Sequence, residues 1–187
     1  EVSGADAVEL AKAIGYDDRI GNKFLRNGIG FGGGCLPKDI RGFVARAEEL
    51  GAGEAVNFLK DVDAINQRRR ARVVSLAEQV LGELKDKKIL MLGLSFKPDS
   101  DDMRDSPALD IALRLANAGA KVTVHDPVAL NALGDKHPEL IREQDLGAAA
   151  KDQELVILGT EWSEYKAIDP TAFGDLVANK LIIDGRN

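Results

Sequence analysis

The chain has a single cysteine, and it lies in the stretch "GIGFGGGCLPKDIRGF", residues 28–43. An ionised thiol is a nucleophile, so the chemistry that this residue offers is covalent catalysis. A lone cysteine is often only a small buried apolar residue. Here, however, glycines crowd the segment before Cys35, and residues without side chains let a ligand or another backbone approach closely. We therefore favour a nucleophile over a core residue.

A helix is predicted directly after Cys35. Proline suits the first turn of a helix, and glycine often follows the last turn, so Pro37 and Gly51 delimit the helix in "LPKDIRGFVARAEELG". Cys35 then lies just ahead of the N-terminus. The positive end of the helix dipole and the ammonium of Lys38 both favour the thiolate form.

Cations form a second candidate group. Lys97 and Arg104 belong to the acidic segment "FKPDSDDMRDS", and Arg186 follows the last apolar run. At the carboxyl ends of strands, in a chain of net charge -6, these three residues are candidate phosphate ligands. The "RRR" at residues 68–70 is interpreted instead as a solvated or ion-paired helix face.

The two histidines, His125 and His137, offer little support for a cysteine–histidine dyad, because one of them would have to reach Cys35 from the other half of the chain. We interpret His125 as a hydrogen-bonding residue at a strand end and Trp162 as a packing residue. A cysteine hydrolase or thiol transferase is disfavoured because no base lies near Cys35. No residue is assigned as a metal ligand.

The composition limits the classes of protein. With 44% hydrophobic and 30% charged residues in 187, the chain is typical of a globular protein, and its acidic balance argues against nucleic acid as the main partner. It has no apolar run of membrane-spanning length and no signal-peptide pattern. A single cysteine is consistent with a reducing compartment, so we expect a cytoplasmic protein without a membrane partner. Because helical patterning is already under way at Glu1, we also expect a piece of a longer chain.

The first half is predicted to be helical. Ser3 and Asp6 are placed like a capping pair for a helix over residues 2–14, and the long polar loop over residues 16–36 has the length of a functional loop. A second long helix is predicted over residues 54–81. Its apolar residues recur at helical spacing and would be exposed in a monomer, so we expect two such helices to pair in a homodimer. These residues are Val56, Leu59, Val62, Ile65, Val73, Leu76 and Val80.

The second half shows a different pattern. Short apolar runs, "KKILMLGLSF", "KVTVHD", "ELVILGT" and "KLIIDGR", alternate with helical segments, which is typical of a parallel sheet covered on both faces. We therefore predict an α/β fold in which a helical region, residues 1–84, precedes a small doubly wound domain, residues 85–187. The first strand is followed by "GLSFKP" and not by G-x-G-x-x-G, so this domain lacks the dinucleotide fingerprint.

Several ordered motifs now carry a family resemblance. "RIGNKFLRNGIGFGGGCLPKDIRGF", "LGLSFKPDSDDMRDSPAL", "VTVHDP", "GTEW" and "DGRN" together resemble the carboxyl-terminal half of the UDP-glucose/GDP-mannose dehydrogenase family. The resemblance implies a central helical region with a long dimer-forming helix, followed by a Rossmann-like domain that holds the nucleotide of a sugar nucleotide. The family's amino-terminal NAD-binding domain has no counterpart in this sequence, so we expect the chain alone to be inactive.

The resemblance also implies roles for individual residues. Cys35 matches the cysteine that holds the oxidised sugar as a thiohemiacetal and then as a thioester, and Asp39 matches the residue that helps to orient water. Lys38 and Arg104 match positions that contact NAD. The remaining matches are substrate contacts, with Arg19 expected to act across the dimer. They are Arg19, Phe24, Leu25, Arg26, Asn27, Gly28, Gly32, Phe96, Lys97 and Arg186.

Within the family the preferred function is oxidation of UDP-glucose to UDP-glucuronate with NAD. "CLPKD" also suits dehydrogenases of GDP-mannose or UDP-N-acetylmannosamine. An alternative from another class is a non-catalytic module for nucleotide binding and dimerisation. The retained "GGGCLPKD" segment argues against a purely binding role.

Overall fold

The computed structural model describes residues 3–23, 25 and 27–186. Its first part is helical, with α1 at Ala7–Ile14, α2 at Leu36–Glu49, a 3-10 turn at Gly53–Val56 and α3 at Asn57–Leu81. The second part alternates strands and helices. Its strands are β1, Lys88–Leu92; β2, Lys121–His125; β3, Ile141–Arg142; β4, Leu155–Leu158; and β5, Ile182–Asp184. Its helices are α4, Pro107–Asn117; α5, Ala129–Leu133; α6, Leu146–Ala150; α7, Ser163–Lys166; and α8, Pro170–Gly174.

The strands of the described chain form one parallel sheet in the order β3-β2-β1-β4-β5. The chain therefore winds outward from β1 in both directions, and the strand order reverses between β1 and β4. Ligands of open α/β sheets bind at such a reversal, beyond the carboxyl ends of the strands. The predicted doubly wound α/β fold is confirmed. Only β3 was missed, because its two residues are exposed and carry no apolar run.

Both faces of the sheet are buried. Ile89 and Met91 of β1 face a core that α4 covers, whereas Leu90 and Leu92 face a second core that contains Trp162. Alternate side chains of a strand point to opposite faces, so a continuous apolar run is what a sheet covered twice requires.

The long helix α3 joins the two parts of the chain. Val73 and Ala77 lie in the same core as α4. Ile65 and Val80 are exposed by 51% and 46%. The prediction that the whole apolar stripe of this helix is exposed in one chain is therefore wrong for Val56 and Val73, which are buried because the helix also packs against α2 and α4. The division at residues 84 and 85 stays a prediction.

The ends of the first two helices follow from their caps. Asp6 accepts hydrogen bonds from the amides of Val8 (2.8 Å) and Glu9 (3.1 Å), so α1 begins at Ala7 and not at residue 2 as predicted. Ser3 takes no part in this cap, because its hydroxyl accepts from Ala5. For α2 the prediction is confirmed, with buried Pro37 in the first turn and Cys35 at the N-cap.

Candidate functional site

The glycine-rich loop, residues 28–35, lies between α3 and the β1–α4 loop, residues 93–106. Its Gly33 amide donates to the carbonyl of Arg104 at 2.9 Å. A Cβ atom at Gly33 would lie 2.9 Å from the ring of Phe96, and the backbone there has a φ of +91°, which glycine alone adopts readily. The glycines thus bring the loop against the segment that carries the predicted nucleotide contacts.

Cys35 is exposed at the end of this loop. Two exposed residues follow in the first turn of α2, where the ammonium of Lys38 lies 3.1 Å from a carboxylate oxygen of Asp39. A Cβ atom at Gly34 would lie 2.5 Å from the guanidinium carbon of Arg104, so that cation stands beside the residue that precedes Cys35. The thiol and the guanidinium of Arg104 therefore stand close together, and Lys38 follows three residues after the thiol in the first turn of α2.

Arg104 is held in this position by Asp102. Its Nε donates to one carboxylate oxygen at 2.9 Å and its Nη2 to the other at 2.7 Å. These bonds, with the backbone amide of Arg104, lower the pKa of Asp102 to about 2. The same pairing raises the pKa of Arg104, with a small contribution from the neighbouring Cys35. An exposed, permanently charged cation thus stays next to the thiol.

The start of the β1–α4 loop is fixed by the buried carboxylate of Asp126, at the end of β2. One carboxylate oxygen accepts from the amides of Leu94 (2.7 Å) and Ser95 (3.1 Å), and the other from the amides of Val128 (3.0 Å) and Ala129 (2.8 Å). The indole nitrogen of Trp162 adds a bond of 3.3 Å. Asp126 therefore sets the backbone immediately before Phe96 and Lys97.

Phe96 and Lys97 form an aromatic and cationic pair. The ammonium of Lys97 lies 5.4 Å from the centre of the Phe96 ring, within the range of a cation–π contact. Phe96 is half-buried against Gly33, and Lys97 is exposed. A ring can stack on a base, and an ammonium can bind a phosphate, so the pair has the chemistry of a nucleotide contact.

A cleft of about 440 Å³ opens next to Arg186, between α1 and the segment that follows β4. Arg186 forms a two-point ion pair with Glu161, in which its Nη2 donates at 3.1 Å and its Nε makes a second, shorter bond. A Cβ atom at Gly28 would lie 3.2 Å from the guanidinium of Arg186, so the glycine-rich loop also reaches this cleft. Leu25 and Asn27 line it.

Most predicted site residues thus surround one loop. Gly28 and Gly32 belong to the glycine-rich loop, and Phe96, Arg104 and Arg186 stand against it. Arg19 is not brought to this site within the single chain. Its side chain is 88% exposed and pairs with Asp17 at 2.6 Å. The predicted contacts Phe24 and Arg26 lie outside the described residues.

Four buried or half-buried residues at this site were missed as participants: Asn66, Arg70, Asp126 and Glu161. Arg70 was assigned to a solvated or ion-paired face. It is ion-paired, with Asp105 and Asp110, but only 3% of it is exposed, so the solvated alternative is wrong for this residue. The motifs "HDP" and "GTEW" did mark Asp126 and Glu161. Nothing in the sequence distinguishes Asn66 from other helical polar residues.

The histidine prediction is confirmed. His125 is buried at the end of β2, with Nδ1 2.8 Å from the Tyr165 hydroxyl and Nε2 3.1 Å from the carbonyl of Gln144. Burial lowers its pKa, and the bond to Gln144 partly opposes that effect. Trp162 is buried in the second core, as expected of a packing residue.

Neither a cluster of metal ligands nor a membrane-spanning helix is present in the described residues. Among them, no three histidine, cysteine, aspartate or glutamate side chains lie together as metal ligands would. In the same residues, no helix combines the length and the apolar character that crossing a membrane requires.

Comparison with known families gives two matches along the chain. Residues 1–68 match the central domain of the UDP-glucose/GDP-mannose dehydrogenase family, and residues 90–187 match the UDP binding domain of the same family. Residues 69–89, which include the last part of α3, lie between the two matched regions.

Individual relatives agree with these matches. The chain is 38% identical to the UDP-glucose 6-dehydrogenase YwqF of Bacillus subtilis and 36% identical to the UDP-glucose 6-dehydrogenase of Rhizobium meliloti. Each alignment covers 100% of this chain but only 42% and 43% of the relative. The chain therefore spans less than half the length of these relatives.

Solved structures also match this chain over less than half of their own length. A UDP-glucose dehydrogenase from Pyrobaculum islandicum superposes with a TM-score of 0.87 at 35% identity, over 100% of this chain and 41% of that one. A UDP-D-ManNAc dehydrogenase from Pyrococcus horikoshii gives 0.70 at 27% identity, over 97% and 40%.

Proposed function

The chain belongs to the UDP-glucose/GDP-mannose dehydrogenase family, and on that premise we propose that it supplies the cysteine loop and the nucleotide-binding domain of a NAD-dependent UDP-glucose 6-dehydrogenase. The observation that carries the proposal is the position of Cys35. This exposed thiol ends a loop that touches the Phe96 ring at one point and Arg186 at another. A sugar nucleotide held by those two residues would extend along the loop toward the thiol.

Different residues bind the nucleotide end and the sugar end of the substrate. Phe96 offers a face to the base, and Lys97 and Arg186 offer positive charge to the diphosphate. Backbone at Leu25, Asn27 and Gly28 borders the same cleft and can hydrogen-bond the sugar without a bulky side chain in the way. Of the remaining predicted contacts, Gly32 belongs to the glycine-rich loop, Arg19 would come from a second subunit, and Phe24 and Arg26 lie outside the described residues.

Cys35 performs the covalent step of the proposed reaction. Oxidation of the C6 alcohol to the aldehyde removes one hydride and one proton, and the thiolate then adds to the aldehyde carbon to give a thiohemiacetal. Loss of a second hydride leaves a thioester. Water cleaves the carbon–sulfur bond, which releases the acid and restores the thiol. Asp39, exposed one turn into α2, is proposed to orient that water.

Each NAD, when bound, would accept one hydride, so one turnover would consume two molecules of NAD. The described residues fit only part of this cofactor. The amides of Leu94 and Ser95, at the first turn after β1, are already bonded to Asp126, so that turn has no free donors for a pyrophosphate. Lys38 and Arg104 do fit, because their side chains are 73% and 74% exposed beside Cys35 and carry the charge that a pyrophosphate requires. We assign these two residues to the cofactor.

A second substrate has some support, since the Pyrococcus horikoshii structure is a UDP-D-ManNAc dehydrogenase. UDP-glucose is preferred because the more similar relatives and the Pyrobaculum islandicum structure are UDP-glucose dehydrogenases. We further propose that the protein acts in the cytoplasm as a homodimer paired through α3.

Calorimetric titration of the chain tests the nucleotide site. We expect UDP to bind and GDP to bind more weakly. Lys97→Ala should weaken the affinity for UDP by about tenfold, the typical effect of losing one charge-assisted hydrogen bond. Lys180→Ala is the matched control, because Lys180 is exposed in the segment before β5 and pairs only loosely with Asp175, at 3.6 Å. UDP affinity that is the same in Lys97→Ala and in the unchanged chain would contradict this site.

A further inference from the structure

We infer that Asn66 and Arg70, on α3, are positioning residues that fix the conformation of the loop ending in Cys35. The inference rests on the proposed function for the role of Cys35, whereas the loop contacts stand without it. Both residues act through the backbone of the loop and neither is assigned to substrate.

The side chain of Asn66 makes two hydrogen bonds to the backbone of one loop residue, Phe31. Its side-chain oxygen accepts from the Phe31 amide at 2.8 Å, and its side-chain nitrogen donates to the Phe31 carbonyl at 2.9 Å. Only 2% of Asn66 is exposed. An amide side chain is one of the few that can accept and donate at once, so it pairs with Phe31 as a neighbouring strand would. Phe31 lies four residues before Cys35.

Arg70 ties the same point to the second loop. Its Nη2 donates to the Phe31 carbonyl at 3.1 Å, to the Asp105 carbonyl at 3.2 Å and to the Asp105 carboxylate at 2.7 Å. Its Nη1 reaches Asp110 at 3.4 Å. The side chain is 4% exposed, and two carboxylates compensate the buried charge. One guanidinium therefore joins the glycine-rich loop to the β1–α4 loop.

Gly30 is explained by this arrangement. A Cβ atom at Gly30 would overlap the side-chain oxygen of Asn66, and the φ of +117° is itself unfavourable for other residues. This glycine makes room for the positioning amide and not for a ligand. Part of the glycine pattern before Cys35 therefore leaves space for the side chain on α3 that hydrogen-bonds the loop.

A merely stabilising role would not require these residue types. Val73 and Ala77 show that the same face of α3 can pack by apolar contact alone. A buried hydrogen-bonded network contributes little more to stability than apolar packing of the same volume, but it fixes geometry. Asn66 and Arg70 are polar at the positions that touch the loop.

Hydrogen exchange tests the inference. In Asn66→Leu, which keeps the branched shape of the side chain but loses both bonds, we expect exchange at the amides of Phe31 and Gly33 to rise at least about tenfold. Amides of β1 should keep their protection. A fluorinated ketone attached to Cys35, the only thiol, should change from one sharp ¹⁹F line to a broad or multiple signal.

Val73→Ala is the control, because it removes buried apolar volume from the same helix and leaves the hydrogen bonds of Asn66 and Arg70 to the loop in place. It should lower the melting temperature and leave both loop readouts unchanged. If Asn66→Leu does not fold, Arg70→Lys serves instead, since lysine keeps the charge but its shorter side chain does not bring a nitrogen to the position of Nη2, from which all the bonds to Phe31 and Asp105 are made. Wild-type exchange and a sharp ¹⁹F line in whichever variant folds would overturn the inference. Absence of UDP binding by the unchanged chain, with its loop amides protected, would instead contradict the proposed function alone.

Discussion

Gly32 and Gly42 provide a pair of alanine substitutions with opposite expected effects. A Cβ atom at Gly32 would overlap the carbonyl oxygen of Asp105 and lie 2.7 Å from Cδ of Pro107. Ordinary contact begins near 3.4 Å, so the loop must move by roughly 0.7 Å or more to accept Gly32→Ala. A Cβ atom at Gly42, inside α2, meets nothing within 4 Å.

The expected magnitudes follow from these distances. Gly32→Ala forces overpacking against backbone and strains the Gly33 bond to Arg104, which should lower the free energy of unfolding by about 1–3 kcal/mol. Gly42→Ala should raise it by about 0.5–1 kcal/mol, because alanine has the higher helix propensity. Urea denaturation followed by circular dichroism measures both.

The loop itself supplies a second readout for the same pair. Exchange at the Gly33 amide should accelerate in Gly32→Ala and stay unchanged in Gly42→Ala. If Gly32→Ala were as stable as the unchanged chain, with Gly33 equally protected, the loop would not be seated against Asp105 and the geometry of the site would be refuted.

Three further outcomes are expected. Because burial lowers the pKa of His125 below its unfolded value of 6.5, the unfolded chain binds the proton more readily, so stability should decrease as pH falls through 6.5. Urea midpoints at pH 7.5 and 5.5 should differ more for the unchanged chain than for His125→Asn, and equal differences would remove His125 as the cause. Sedimentation equilibrium at micromolar concentration should give a dimer, since Phe58, Ile65 and Val80 of α3 are exposed by 62%, 51% and 46%; a monomer would contradict pairing through that helix. The chain alone should form no NADH from NAD and UDP-glucose, and measurable NADH would show that the described residues complete the cofactor site.

The second half of the fold was readable from the sequence because its strands are buried on both faces. Four apolar runs each coincide with an observed strand. Strand β3 lacked such a run. The start of α1 was misplaced because Ser3 and Asp6 have the spacing of a capping box, whereas only Asp6 caps the helix.

The candidate site could be predicted only in part from the sequence. Cys35, Lys97 and Arg186 stood out because cysteine and cations in glycine-rich or strand-end segments suggest chemistry by type. Asn66 and Arg70 did not, because their role depends on a tertiary contact with Phe31, some 35 residues earlier in the chain. Periodicity shows that both lie on one helix face, but not which loop covers that face.

Protection of Cys35 by substrate tests the central claim, that a UDP-sugar bound at Phe96, Lys97 and Arg186 extends to the thiol. The measurement is the rate of Cys35 alkylation by iodoacetamide, followed by intact mass, with UDP-glucose, UDP or glucose present. UDP-glucose should slow alkylation more than UDP does, glucose should have no effect, and Lys97→Ala should shift the protection to about tenfold higher UDP-glucose concentration. An unchanged alkylation rate at a UDP-glucose concentration that saturates the calorimetric titration would contradict the claim.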